Sequence, residues 1–528
     1  MINIKAISSL EKVTDNAAFC EEALYYSVLK NEKLNFQVLL CSDEDIDYKP
    51  KISCDFACSV KVFEVKKVPV GKACYDDSDD YYIGKEPGMY PDLLSESNEI
   101  INLAAGEPVN LWVELSGFNK TGNGAFKITA GENVKEITIK VVDACISEQS
   151  FIVTNWFHCD CIADYYDVEV FSDEFWKITG NFIAAASSHG INCLLTPLFT
   201  PALDTAPGSE RTTVQLVGVK KTAQKYLFDF SNLDKWIDLC RNNGIKYFEL
   251  SHFFTQWGAE HAPKIIAEDE NGEMTHIFGW FTEPDSKEYD CFLKCLAVEL
   301  RQYFKDKGIE NRIFVHISDE PSKDNLELYG RRAGLIKEIF PDYPVIDALS
   351  DYDFYKMGFV DIPIPCENNI EQFFGKADTL WTYYCCGQHK DYVPNRFICM
   401  PSLRNRVLGI LAYKYNLKGF LQWGYNFYNS QLSIKRIDPY KVTDSDGSFP
   451  AGDAFVVYPG KNGTPELSLR LKVFYDGIQD YEALTLLEKK IGREKVLELT
   501  GDISFSNYPH DNSRLLNFRN RVNEMLEQ

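Results

Sequence analysis

Eight short apolar runs, alternating with helical stretches and all beginning after residue 150, constrain this chain more than any other feature. The runs are FIVTNWF, INCLLT, KYFEL, RIFVHIS, VIDALS, VDIPIP, TLWTYY and GFLQWGYNFY. Most are followed by a segment of helical periodicity, such as DEFWKITGNFIAAASSH, NLDKWIDLCRNN, DSKEYDCFLKCLAVELRQYFKDK, KDNLELYGRRAGLIKEIF and SLRNRVLGILAYKYN. Strand and helix in alternation predict βα units and a parallel sheet. Two long insertions, near 196–230 and 253–284, follow the second and third runs. Eight strands with crossover helices and long loops at the strand ends fit an α/β (β/α)8 TIM-type barrel better than a doubly wound sheet. No GxGxxG follows a strand and no GxxxxGK[ST] occurs, so the usual nucleotide sites are not expected.

The first 148 residues use a different grammar. KLNFQVLLC, CSVKVFEVKKV, VNLWVELSG and VKEITIKVVDA are short alternating stretches separated by Gly, Asn, Asp and Pro. They predict an all-β sandwich, with KTGNGAF as a hairpin whose turn centres on Asn-Gly and YDDSDDYYIGKEPGMYPD as an irregular acidic loop. The expected organisation is therefore multidomain: a β-sandwich over 1–148, a barrel over 149–495 and a helical extension over 496–528. Leu469, Val473, Ile478, Tyr481 and Leu484 give the segment after the eighth strand a helical apolar spacing.

A formal net charge of −23, from 55 basic and 78 acidic residues, argues against nucleic acid, whose phosphates need Lys and Arg, and against anionic membranes. The amino terminus has no basic segment followed by an apolar core, and no run of 18 apolar residues occurs. A cytoplasmic protein without membrane insertion is expected, and its 16 cysteines read as buried, reduced thiols. HCDC (His158 to Cys161) fits no structural zinc spacing, and Cys291 and Cys295 are expected on the inner face of a helix. Neither a metal nor a cofactor is expected.

In a parallel barrel the chemistry sits at the carboxyl ends of the strands. There the fourth run, ending FVHISDEPS, carries Asp319 and Glu320 before Pro321. Asp319 or Ser318 could merely cap the next helix, but other strand ends bring groups to the same rim. They are His158 and Asp160 from the first, His252 and Trp257 from the third, Trp381 and Tyr383 from the seventh, and Trp423, Tyr425 and Asn426 from the eighth. Aromatic rings around two carboxylates suit a neutral sugar.

HISDEP, NWFHCDCIADYY, GFLQWGYNFY and RLKVFYDGIQDYEAL, in the order that the chain carries them over about residues 150–490, resemble glycoside hydrolase family 123. The resemblance implies an exo-β-N-acetylgalactosaminidase with an amino-terminal sandwich and a barrel, acting on a glycolipid or glycoprotein oligosaccharide. It also implies a retaining, substrate-assisted mechanism, in which the 2-acetamido oxygen attacks the anomeric carbon to give an oxazoline. Asp319 would orient the acetamido N–H, and Glu320, its pKa raised by partial burial and by Asp319, would be the general acid and base. Tyr383 would hydrogen-bond the acetamido oxygen, Trp381 and Trp423 would wall its methyl group, and His158, Asp160, His252 and Asn426 would bind ring hydroxyls. Two alternatives stay open: a conventional two-carboxylate glycosidase with Glu249 or Asp347 as nucleophile, and an inactive carbohydrate-binding barrel.

Overall fold

The computed structural model describes residues 1–14, 20–97, 99–223 and 225–528. Eight parallel strands, here β1 to β8, form one sheet: Ile152–Asn155, Cys193–Thr196, Tyr247–Leu250, Ile313–His316, Val345–Ala348, Ile362–Ile364, Trp381–Tyr383 and Gly419–Gln422. They coincide with the eight apolar runs. Strand β1 pairs with β2 and β8, and a parallel bridge from Cys366 to Tyr383 links β6 to β7, so the barrel is nearly closed. The period-2 alternation of a strand sorts its side chains. Cys193 and Leu195 of β2, Phe314 of β4 and Trp381 of β7 fill the barrel interior, while Leu194, Ile313 and Val315 face the surrounding helices.

The two insertions are more ordered than their sequence suggests. Gly218–Lys221, Tyr226–Asp229, Ile265–Glu268 and Met274–Phe278 form a four-stranded sheet of their own. No described helix is long and apolar enough to cross a membrane.

The amino-terminal region is sheet-rich, with a seven-stranded and a four-stranded sheet sharing a core around Phe36, Val38, Val113, Phe126 and Ile139. The Asn-Gly of KTGNGAF does not turn the chain: it lies inside strand Gly122–Ala130. A side chain at Gly124 would come within 2.6 Å of the Phe56 ring, so this glycine serves close packing. The turn falls at Gly131, φ +64°, before strand Asn133–Val142, where glycine relieves the left-handed backbone.

The cysteines also depart from expectation. All sixteen are free thiols, but only Cys159, Cys161, Cys193, Cys240, Cys366 and Cys399 are buried. Cys291 and Cys295 are exposed on helix Lys287–Lys307, whose inner stripe is Tyr289, Phe292, Leu293, Leu296, Leu300 and Phe304.

The two regions interlock. The loop after β8 sends Val457–Tyr458 and Glu466–Ser468 into the edge of the seven-stranded sheet. Helix Leu469–Ile491 then runs between sheet and barrel, buried on almost every side. Its charged residues are therefore paired across the seam: Arg470 with Asp92 at 2.8 Å and Lys472 with Glu114 at 2.6 Å. Asp92 also accepts from Tyr458 at 2.6 Å and is fully buried. Removing one partner of such a pair strands the other charge, so Arg470→Ala is expected to cost about 3–5 kcal/mol, measured by urea unfolding. Loss of less than 1 kcal/mol would mean the seam contributes little to holding the regions together.

Candidate active site

Strand β4 ends at His316, and the chain continues through buried Ile317 and Ser318 to the acid pair. Neighbouring loops pin the turn: the Asp319 carbonyl accepts from the Trp257 amide at 2.9 Å, and the Glu320 amide donates to the Ala348 carbonyl at 3.0 Å. Glu320 sits at φ +45°, a left-handed conformation that costs a non-glycine residue free energy and gathers at functional sites. Neither acid caps a helix. Helix Leu326–Ile339 begins six residues on, after a 3-10 turn, with Asn325 at its start, and Ser318 Oγ donates to the Thr255 carbonyl at 2.7 Å.

Asp319 and Glu320 line an open pocket of about 740 Å³, counted to its mouth, at the carboxyl end of the barrel. Its aromatic walls are Trp156, Trp257, Tyr383, Trp423 and Phe449, and its other polar groups include Asp204, Gln256 and Gln431. Asp319 is buried and Glu320 exposed. Tyr383 donates its hydroxyl to Glu320 Oε1 at 2.6 Å. The Trp156 indole N–H donates to Glu249 Oε1 at 2.7 Å, and that of Trp423 to Asp453 Oδ2 at 3.0 Å. Each ring is thus held by its edge on a carboxylate.

Under the pocket floor lies a buried charge stack. His316, fully buried, bonds Glu249 through Nε2 and faces Asp347 Oδ1 through Nδ1 at 3.5 Å. Glu249 also accepts from Thr154, and Asp347 Oδ2 accepts from Tyr329 at 2.6 Å and from the Ser318 amide at 3.2 Å. Burial alone would depress the imidazole, but the flanking Glu249 and Asp347 outweigh it and lift His316 to about 9. The Asp319 carboxyl is pushed well up, first by burial and then by Glu320, Asp347 and Glu249, with His316 opposing.

Three of the expected binding residues, Trp257, Tyr383 and Trp423, line the pocket; six do not. His158 and Asn426 clamp each other, amide to Asn426 Oδ1 at 2.8 Å and Asn426 Nδ2 to the His158 carbonyl at 3.0 Å, tying β1 to β8. Asp160 is the bidentate partner of buried Arg211, both bonds at 2.7 Å, and Arg211 also donates to His158 Nδ1. Burial and Arg211 lower His158 to about 4, which keeps it neutral. Tyr425 is buried and donates to the Phe182 carbonyl at 2.9 Å. Trp381 starts β7 two residues before the rim and lies inside the barrel, edge-on to Phe314 at 5.1 Å. It fits because its partner across the ladder is Gly419, where a side chain would meet the indole at 2.3 Å. His252 lies under the floor, 4.2 Å from the His316 ring.

His252, His316 and Asp347 are the one group of ligand-type side chains among the described residues whose donor atoms converge enough to hold a metal ion. Sequence reasoning missed Trp156, Asp204, Gln256, Gln431 and Phe449. Trp156 was legible: it continues the inward alternation of Thr154 on β1. The others sit in long loops without a periodic signal.

A barrel with paired acids and aromatic walls at its carboxyl rim is the architecture of a sugar-cleaving enzyme. The family profile "Glycoside hydrolase 123, catalytic domain" matches residues 156–487. The chain belongs to glycoside hydrolase family 123 and is a glycosidase. Its fold is similar to that of a family 123 glycoside hydrolase from Clostridium perfringens, solved to detail glycolipid glycan hydrolysis. The TM-score is 0.75 at 16% identity, over 100% of this chain and 98% of that one. Weaker likenesses, each with a TM-score of 0.34 at 10% identity, extend to two other enzymes. One is a termite-gut family 10 xylanase with an Ig-like domain, over 69% of this chain and 86% of that one. The other is a family 2 β-galacturonidase from Eisenbergiella tayi, over 85% and 69%. No curated protein matches in sequence.

The charge stack yields a pH prediction. A raised His316 contributes stability in full below about pH 6.5, and that contribution is lost as pH rises through 9. Wild-type unfolding free energy should therefore fall between pH 6.5 and 9 more steeply than that of His316→Gln. Parallel slopes would mean that His316 is neutral in the folded protein.

Proposed function

We propose that this enzyme removes terminal β-linked N-acetylgalactosamine from a glycan, by a retaining mechanism in which the 2-acetamido group of the sugar is the nucleophile. One observation carries the reading. The two carboxylates that a conventional scheme would recruit from neighbouring strand ends, Glu249 and Asp347, are fully buried, bonded to protein groups and absent from the pocket lining. The acids at the floor are adjacent, whereas a protein nucleophile should stand across the sugar from the acid at roughly 5 Å.

In this reading Glu320, exposed to the pocket and accepting from Tyr383, protonates the leaving oxygen and later deprotonates the water that opens the oxazoline. Asp319 accepts the acetamido N–H. No hydrogen bond from a described protein group holds its side chain, so the carboxylate is free to receive that donor. Its raised pKa makes it a stronger base than an ordinary aspartate, suited to drawing off the amide proton as positive charge grows on the forming ring. The aromatic walls shield that charge from water and give the sugar flat faces to stack on. The Clostridium perfringens relative, named for glycolipid glycan hydrolysis, supports a glycan of that kind as substrate.

A panel of nitrophenyl glycosides differing at C2 and C4 tests the reading. The β-N-acetylgalactosaminide should be cleaved, the plain β-galactoside should not, and a thiazoline analogue should inhibit. Similar rates on both sugars would favour a conventional nucleophile, and preference for the C4 epimer would correct the sugar.

Glu320→Gln and Asp319→Asn should each lose about 10²- to 10⁴-fold in kcat/KM. A dinitrophenyl leaving group, which needs no acid, should restore the first step in Glu320→Gln but not in Asp319→Asn. On that substrate the acidic limb of kcat/KM should lie at lower pH in Glu320→Gln than in wild type, because one of the charges raising Asp319 has gone. An unmoved limb would assign it to another group.

A further inference from the structure

Asp204 stands in the loop after β2, outside every motif of the sequence, and it lines the same pocket as the acid pair. Loops from two other strands fix it. Its amide donates to Gln256 Oε1 from the loop after β3. Its carbonyl accepts from Ser433 Oγ at 2.7 Å, and its Oδ1 accepts from the Leu432 amide at 3.1 Å, both from the loop after β8. The backbone is left-handed at φ +43°, a conformation that Asn accepts as well as Asp, so the turn does not call for a charge. The second carboxylate oxygen, Oδ2, is shielded from solvent and has no hydrogen-bond partner among the described residues. Arg211, the cation whose charge acts on it, is committed to Asp160, His158 and the Leu203 carbonyl. Burial pushes the Asp204 carboxyl up to about 6.

A carboxylate oxygen only accepts, and leaving one buried without a donor is costly. We propose that Asp204 is a specificity-determining residue whose unpartnered oxygen, brought to the pocket by a small rotation of the side chain, accepts a hydrogen bond from a ring hydroxyl of the bound sugar. The donor class is a neutral polyol, because an anionic group would meet like charge. The inference rests on the pocket being a glycan site, as proposed above, and adds the residue that reads the hydroxyls. A site built to bond a substrate hydroxyl strongly rejects the analogue that lacks it.

The test uses wild type and Asp204→Asn on whichever aryl glycoside the wild type cleaves, together with its 3-, 4- and 6-deoxy analogues. Asp204→Asn keeps the size and the Oδ1 acceptor and replaces the free oxygen with an amine. It should fold with an unchanged melting temperature and lose ~10- to 100-fold in kcat/KM. One deoxy analogue should be equally poor on wild type and lose nothing further on the variant, while the others lose in proportion. Wild-type rates in Asp204→Asn, or an equal further loss on every deoxy analogue, would overturn the inference. So would restoration of Asp204→Ala by azide with formation of the inverted α-glycosyl azide, which would make Asp204 the nucleophile. The C2 panel reports on the acetamido mechanism separately: cleavage of a plain galactoside would sink that reading and leave the deoxy pattern to decide this one.

Discussion

The buried stack Glu249–His316–Asp347 is the constraint on which the pocket depends. One protonated imidazole between two carboxylates leaves a residual negative charge in a fully buried region below Asp319. The same groups serve as struts. Glu249 holds Trp156 by its indole N–H, and Asp347 holds the Ser318 amide one residue before the acid pair. Electrostatics and geometry of the floor therefore come from one set of atoms. Loss of His316 would leave two buried carboxylates without the cation between them.

The loops above this floor are long, and long loops are ordinarily mobile. Here they are tied to one another. The loop after β3 bonds the acid pair through Trp257, and the loop after β8 bonds Asp204 through Leu432 and Ser433. The insertion sheet ties the chain beyond β2 to the chain beyond β3. Further out, the loop after β8 is anchored in the amino-terminal sheet, and helix Leu469–Ile491 is ion-paired to that sheet through Asp92 and Glu114. Each tie is short in space and long in sequence. The amino-terminal region thus braces the loop that carries Phe449 and Gln431 to the pocket.

The barrel was legible in the sequence because every strand is a short apolar run bounded by helical periodicity, and all eight fall where expected. The acid pair was legible because it follows such a run. What failed was the step from rim position to pocket. His158, Asp160 and Asn426 stand at strand ends, yet they spend their polar atoms on Arg211 and on each other. Trp381 misses the pocket by one inward position, since alternation brings Tyr383 to the rim and leaves Trp381 below it under Gly419. Periodicity identifies the inward face; it does not give height along the barrel axis. Asp204 and Gln431 were invisible for a different reason: loop residues acquire their roles from tertiary contacts with no repeat to betray them. The Asn-Gly pair misled because glycine answers two needs, a left-handed turn and a close approach, and at Gly124 the second applies.

The charge inventory of the pocket bears on the proposed substrate. Its described lining holds three carboxylates, Asp204, Asp319 and Glu320, and no Lys or Arg. A sugar acid would bring a further acidic group into a site lined by three carboxyl groups and lying over a negative floor, where Coulomb repulsion is weakly screened. In the proposed function, a neutral sugar with hydroxyl and amide donors meets these carboxyl acceptors, and the amides of Gln256 and Gln431 can donate to its oxygens. In the proposed mechanism, positive charge arising on the sugar during bond cleavage is stabilised from below by groups that are in place beforehand, so no reorganisation is needed when it appears. In that reading, negative charge held in a buried setting favours the transition state over the ground state.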